Sequence, residues 1–284
     1  MTELAHPFFL LKQGEFTLSA KAGLFTEEHE YEVAKVVQDL FEYNHNFYKL
    51  ASTIGLPGQR QFGLELSALG DGELSKEYSP TFNILKQYMQ YKGFHAVEVF
   101  YQEHLKTSDK DNQLAFEVRF KGSPLKGKEA NNTYQGKDIG IGLLYSHLHD
   151  NEWRIYGALK AEVIGRKRVL RSDGELETVD AFSQFGNLLG VQWLQNKYWF
   201  EANALFYLTT DYISRSVNYN RVTDKGFIVG GKILFGYYLK PNIAFTIEHL
   251  RQGQNFNVIA EETSEDKEFE IETQHTQMGI AWLF

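Results

Sequence analysis

Apolar residues recur at every second position along much of this chain, in runs of roughly the ten residues that a tilted strand needs to cross a bilayer. In 198–208 one side reads Tyr198, Phe200, Ala202, Ala204, Phe206, Leu208, and the other Trp199, Glu201, Asn203, Leu205, Tyr207. In 153–165 Trp153, Ile155, Gly157, Leu159, Ala161 and Val163 oppose a side carrying Arg154, Lys160 and Glu162. The segment 227–237 sets Phe227, Val229, Gly231, Ile233, Phe235 and Tyr237 opposite Lys232, and 114–120 sets Leu114, Phe116, Val118 and Phe120 against Glu117 and Arg119. Shorter matches occur at 139–145, 189–193 and 243–247. Near the start stand Phe16, Leu18, Ala20, Ala22, Leu24, then Phe62, Leu64, Leu66, Ala68. These are strands with one apolar face each.

A soluble antiparallel sandwich also alternates. Two features point instead to a closed transmembrane barrel. Aromatic residues sit near strand ends (Trp153, Tyr198, Phe227, Tyr237, Trp282), as interfacial girdles require. Connections alternate between tight (His149–Glu152, Gln195–Lys197, Lys240–Pro241) and long polar (122–137, 166–184, 211–226, 251–274). Strands are expected near 15–25, 61–69, 95–106, 113–121, 138–147, 153–165, 185–194, 198–210, 227–239, 242–250 and 275–284. Segments 47–56 and 82–91 are mixed. Single-chain bacterial barrels take even strand numbers, which gives an all-β, closed antiparallel up-and-down barrel of about twelve strands, or fourteen if 31–41 and 47–56 both pair. Val33, Val36, Val37, Leu40 and Phe41 have helical spacing, and 79–93 opens like a helix with Ser79-Pro80 and stops at Gly93. Asp71-Gly72-Glu73 and Asp173-Gly174-Glu175 read as turns. No repeat or linker divides the chain, so 1–284 reads as one domain. Residues 1–14 form an N-terminal segment expected in the periplasm or the lumen.

Composition sharpens this picture. No stretch reaches the eighteen apolar residues of a membrane helix, and mean hydropathy is negative. A barrel accommodates both facts, because only alternate residues meet lipid. The net charge of −8 argues against nucleic acid as a partner. The absence of cysteine excludes disulfides and Cys-based metal sites. Thr2–Pro7 lacks a basic n-region, so the barrel reading carries the expectation that an export signal has been removed and Met1 is an added start.

The last residues place Met278, Ile280, Trp282 and Phe284 on one face. This resembles the final strand of bacterial outer-membrane β-barrel proteins, which ends on an aromatic residue with apolar residues two, four and six places earlier. The resemblance implies that the barrel assembly machinery reads this strand, that it closes the barrel against the first strand, and that outer-membrane lipid and lipopolysaccharide surround the protein. It covers the last nine or ten residues and the general pattern, and it selects no subfamily.

If apolar faces meet lipid, then Glu65, Glu117, Arg119, Lys160, Glu162, Glu201, Lys232 and Glu248 point inward, since charges at the bilayer midplane cost a few kcal/mol. In one reading they line a path for a small polar solute. In the other they pair across the lumen and fill it, leaving a structural barrel that binds a protein partner through its long loops. A lipid-modifying enzyme is a third possibility and a soluble all-β carrier a fourth. The one local cluster of catalytic residue types is Ser146-His147-Leu148-His149-Asp150, where Ser146 and His147 face opposite sides and so defeat a direct serine–imidazole bond. It also departs from the His-x-Ser pattern of the outer-membrane phospholipase. No catalytic residue, metal ligand set or cofactor is therefore assigned. His249 beside Glu248, and His275, stand alone, and Gly230-Gly231 lies inside a strand. The acidic run 261–268 reads as a solvated external loop, with divalent-ion or partner binding as its functional alternative. Arg166-Lys167-Arg168 with Arg171 sits at an outer strand end, where lipid phosphates are the candidate contact.

Overall fold

The computed structural model describes residues 11–33, 36–78, 85–87, 93–105, 111–122, 136–150, 152–170, 176–215, 220–260 and 266–284. The strands are β1 (Phe16–Val33), β2 (Val36–Leu56), β3 (Arg60–Tyr78), β4 (Leu85–Gln87), β5 (Gly93–Leu105), β6 (Asn112–Gly122), β7 (Lys137–His149), β8 (Trp153–Ile164), β9 (Lys167–Leu170), β10 (Leu176–Val179), β11 (Phe182–Leu194), β12 (Tyr198–Thr209), β13 (Tyr212–Arg215), β14 (Asn220–Lys240), β15 (Ile243–Ala260) and β16 (Asp266–Leu283). Twelve of them pair antiparallel into a closed barrel, with β12 bonded to β14 and β1 bonded to β16. The short β4 adds to β3. The short β9, β10 and β13 form a ribbon that joins β14.

The seam between first and last strand is as regular as any other. Thr17 pairs with Leu283 and Val33 with Lys267. Phe16 and Phe284 exchange backbone hydrogen bonds of 3.1 and 2.9 Å, and their rings stack at 4.6 Å. Closure matters physically because an open edge would leave unpaired N–H and C=O groups in hydrocarbon. The C-terminal ends of β2, β7, β11 and β14, which lead into tight connections, lie at the same end of the barrel as Phe16 and Phe284.

Period two becomes sidedness. Leu159 is 63% exposed while its neighbours Ala158 and Tyr156 are 5% and 1% exposed. Leu189, Leu208, Ile233, Ile155 and Met278 share the outer surface with Leu159, whereas Trp199, Glu201, Gln192 and Ser146 are enclosed. An aromatic chain runs around the short-turn end, Trp153 to Trp193 (6.1 Å), Trp193 to Tyr198 (5.6 Å) and Tyr198 to Phe235 (6.5 Å). This is the girdle that an apolar belt needs at its aqueous border.

The wall is uneven in height. β1, β2, β3, β14, β15 and β16 have 18–21 residues, whereas β5–β8, β11 and β12 have 11–13. About ten tilted residues span the hydrocarbon, so the taller half stands beyond it. Several sequence expectations are corrected here. The apolar stripe of Val33, Val36, Val37, Leu40 and Phe41 is strand, not helix: Val33 ends β1, and Val36–Phe41 lies in β2, paired with β1 and, from Asp39, with β3. Valine favours a strand, and so short a stripe is too small for a stable isolated helix. Asp71-Gly72-Glu73 is not a turn but part of β3, with Gly72 opposite His45 beside a register shift. Most of 251–274 belongs to β15 and β16, and parts of 166–184 and 211–226 are strand as well. Of 79–93, expected to open like a helix and stop at Gly93, Leu85–Gln87 is strand β4 and Gly93 opens β5; Ser79-Pro80, Asp173-Gly174-Glu175, Arg171 and 261–265 lie outside the described residues. Asp266, Lys267 and Glu268, expected in a loop, open β16.

Candidate functional site

The barrel interior carries the candidate site. The structure places Glu65, Glu117, Arg119, Lys160, Glu162, Glu201, Lys232 and Glu248 on the enclosed side of the wall and draws all of them except Lys160 and Glu162 into ion pairs among the described residues. At mid-height Glu201 accepts a hydrogen bond from the Tyr156 hydroxyl (2.8 Å), pairs with Lys232 (2.9 Å), and receives Gln192 Nε2 at 3.4 Å. Glu248 pairs with Lys21 (3.0 Å) and accepts from Gln277 Nε2 (2.6 Å). Glu65 pairs with Lys49 at 2.6 Å. Nearer the long-connection end Arg119 bridges Glu98 and Glu117, the latter at 3.1 Å, and lies over the Phe100 ring. Lys160 lies within electrostatic reach of Glu117, Glu162 and Glu98. Glu162 accepts from the Gln184 amide. Paired geometry of this kind offsets the desolvation that an isolated lumenal charge would suffer.

Below these groups the lumen is tight and holds the buried Arg154, whose Nη1 donates to Gln192 Oε1 at 3.4 Å. Gln61 donates to Gln102 (2.7 Å), Gln102 meets His104 (3.2 Å), and the Leu11 N–H points to Gln61 Oε1 at 3.4 Å. The N-terminal segment therefore reaches the lumen floor at Leu11, which is buried. Leu194, Trp199, Tyr238 and Ala244 form an apolar plug beside it, with the Trp199 indole lying directly over Gly236. A Cβ at that position would collide with the ring. Among the described residues Gln113 Oε1, Ser146 Oγ, Trp199 Nε1, His275 Nε2 and Gln277 Oε1 are enclosed without a protein hydrogen-bond partner. Water inside the lumen would satisfy such groups.

Above, between the charged wall of β5–β8 and the opposite wall of β11, β14 and β15, lies a partly enclosed cavity of about 300 Å³. Its lining includes Glu98, Arg119, Lys121, Asp138, Glu162, Gln184, Ile228, Gln252 and Phe256. Alternation could have indicated Glu98, which stands between Val97 and Val99. Phe182 and Phe256 had no such signal, because each fell in a stretch expected to be a polar connection.

The remaining sequence candidates are dispersed. Ser146 is buried, while His147 Nδ1 contacts Asn112 Oδ1 (2.9 Å). His149 and Asp150 pair at 3.0 Å in the exposed turn. His249 contacts Thr276 Oγ1 (2.8 Å), and His275 lies edge-on to Phe25 at 4.8 Å. Arg166 reaches Asp180 at 3.7 Å. Met278, Ile280 and Phe284 are on the outer surface, with Trp282 half-buried beside them. Among the described residues no group of histidine and carboxylate side chains is placed to hold a metal ion.

No protein-family description matches the sequence, and no curated protein does. Solved structures do resemble it. An outer-membrane channel from Pseudomonas putida F1 superposes with a TM-score of 0.55 over 98% of both chains at 9% identity. The NanC porin gives 0.48 at 10% identity, covering 91% of this chain and 98% of that one. The outer-membrane protease OmpT from Escherichia coli gives 0.43 at 9% identity, covering 95% and 97%. Likeness at these identities is a likeness of fold: this is a transmembrane β-barrel of the bacterial outer-membrane type.

Proposed function

We propose that this protein is an outer-membrane channel or uptake barrel for small polar solutes. The observation that carries the reading is a partly enclosed cavity lined by carboxylates and cations inside a barrel whose exterior is apolar. Charged walls in a low-dielectric enclosure bias which solutes enter. Enclosed polar groups without protein partners continue below the cavity at Ser146, Gln113 and Gln277, which supports a hydrated route. The buried cluster of Leu194, Trp199, Tyr238 and Ala244 lies on the lower route, so passage in this reading requires Trp199 and Tyr238 to move. Conductance of the folded protein in planar bilayers tests this. Intermittent openings are expected for the natural sequence, and longer or larger ones for Trp199→Ala. A folded barrel that never conducts, and never lets liposomes swell in small sugars or amino acids, would refute it.

A second reading is favoured by one specific observation. Among the described residues the largest fully buried side chains are Trp199, Tyr156, Gln102, Gln192, Glu201 and Ser146, all on inward positions. A lumen packed at that level suits a structural barrel that acts through its tall outer wall and loops. Stable capture of one protein partner by a non-conducting barrel would support that reading over the first.

A further inference from the structure

The cavity above the plug has a chemistry of its own, and the geometry points to a binding site for a small organic ammonium compound with an apolar body. This deepens the reading of the lumen as a solute path and rests on it. The two walls differ. On the charged wall and its immediate surroundings four carboxylates (Glu98, Glu117, Asp138, Glu162) meet three cations (Arg119, Lys121, Lys160), leaving one negative charge in surplus. The cations are already engaged. Arg119 is held by Glu98 and Glu117, Lys121 has contacts of its own, and Lys160 sits among carboxylates.

The two carboxylates at the cavity edge are less fully used. Asp138 accepts the Gly165 N–H through Oδ1 (3.0 Å), and Glu162 accepts the Gln184 amide through Oε2. Neither forms an ion pair with a described residue, so each offers a second oxygen to an incoming donor. Gly140, two residues along β7 from Asp138, pairs opposite Glu162, and a Cβ there would press on Glu162 Cγ at 3.0 Å. The bare backbone leaves Glu162 its space beside Asp138.

The opposite wall sets Ile228, Phe182 and Phe256 beside the amides of Gln184, Gln252 and Gln254. Ile228 and Phe256 are buried. Phe182 stacks on Tyr212 at 4.7 Å, and Tyr212 meets Phe256 edge-on at 5.8 Å. A ring or branched chain can rest there, and an aromatic face also attracts a cation. The volume of about 300 Å³ is at the small end of ligand sites, equal to about ten waters, so the occupant has about ten non-hydrogen atoms. An anion would meet a net negative wall whose arginine is spoken for.

Isothermal titration of the full chain, folded in detergent, with three isosteric probes tests the site without requiring transport. Phenethylammonium is expected to bind at least about tenfold more tightly than 2-phenylethanol or phenylacetate, and to weaken as salt is raised. Glu162→Gln and Asp138→Asn are each expected to reduce its affinity about tenfold, with folding checked by heat-dependent gel migration. Ile228→Trp, which fills the apolar side, is expected to abolish binding. Phenylacetate binding as well as phenethylammonium, no binding of phenethylammonium at millimolar concentration, or natural affinity in both carboxylate variants would each overturn the proposal. The probe series on the natural sequence decides the matter even if a variant fails to fold. A barrel that binds phenethylammonium but never conducts loses the channel reading and keeps the site; one that conducts without discriminating among the probes loses the site alone.

Discussion

Glu201 shows most sharply what a single lumenal residue demands. It is 2% exposed, and its charge is tolerable because Lys232, Tyr156 and Gln192 converge on it. Removing one partner of a buried ion pair typically costs about 3–5 kcal/mol, whereas removing both charges together is often near neutral. Lys232→Met is therefore expected to lower unfolding stability in lipid by about that amount, and Glu201→Gln combined with Lys232→Met to recover most of it. A double-mutant cycle by urea titration checks this; equal losses in the single and double variants would show that the pair is not coupled. Gly236 makes a second demand. Its lack of a side chain seats the Trp199 indole, so Gly236→Ala is expected to cost about 1–3 kcal/mol by overpacking and to disturb the plug. Denaturant titration followed by tryptophan fluorescence reads both effects. The inward direction of Glu201, Lys232 and Glu248 was legible from alternation, since period two assigns a face to every residue in a strand. Their partners were not. Lys21 and Glu248 are 227 positions apart, and only the closed register of β1, β16 and β15 brings them together.

The tall strands pose a question at the scale of the element. Beyond the apolar belt β1 sets Glu28 directly between Glu42 of β2 and Glu272 of β16. Like charges opposite one another weaken a ladder. Partial burial and the Glu272, Glu42 and Glu270 carboxylates push the Glu28 carboxyl up from its ordinary value. Glu272 is pulled down, first by its hydrogen bond from Arg251, with which it pairs at 2.7 Å. The two act in opposite directions with pH. The contribution of Glu28 is complete below the ordinary value of 4.5 and is lost as pH rises through its raised pKa; that of Glu272 is present above 4.5 and is lost as pH falls through its lowered pKa. Hydrogen exchange of residues 26–30, corrected for intrinsic rates, is expected to slow as pH falls from neutral toward 4.5 and to quicken again below it. Glu28→Gln should remove the first change and leave the second; an unchanged profile in that variant would refute the carboxylate explanation. These extensions were not legible in the sequence. Hydrophobic alternation marks a strand only where one face meets lipid or core, and β15 and β16 beyond the belt have polar residues on both faces. Their backbone ladders hold them regardless, so 251–260 and 266–274 read as loop and fold as sheet.

At the scale of the whole molecule one physical division organises everything else. Apolar side chains meet hydrocarbon, ionic ones meet one another across an enclosed axis, and closure between β1 and β16 leaves no edge. The strand count, the tight turns and the two faces followed from the sequence because all three depend on local alternation. The plug, the cavity and the uneven wall did not, because they depend on which strands stand opposite one another across the lumen. The chain contains no cysteine, so any introduced cysteine is unique and can carry a nitroxide. The decisive measurement is a spin-label scan of Arg154–Val163 in lipid bilayers, reading collision with oxygen and with a polar nickel complex. High oxygen accessibility is expected at 155, 157, 159, 161 and 163, alternating with low values at 154, 156, 158, 160 and 162. A flat profile, or the opposite phase, would contradict the barrel's sidedness.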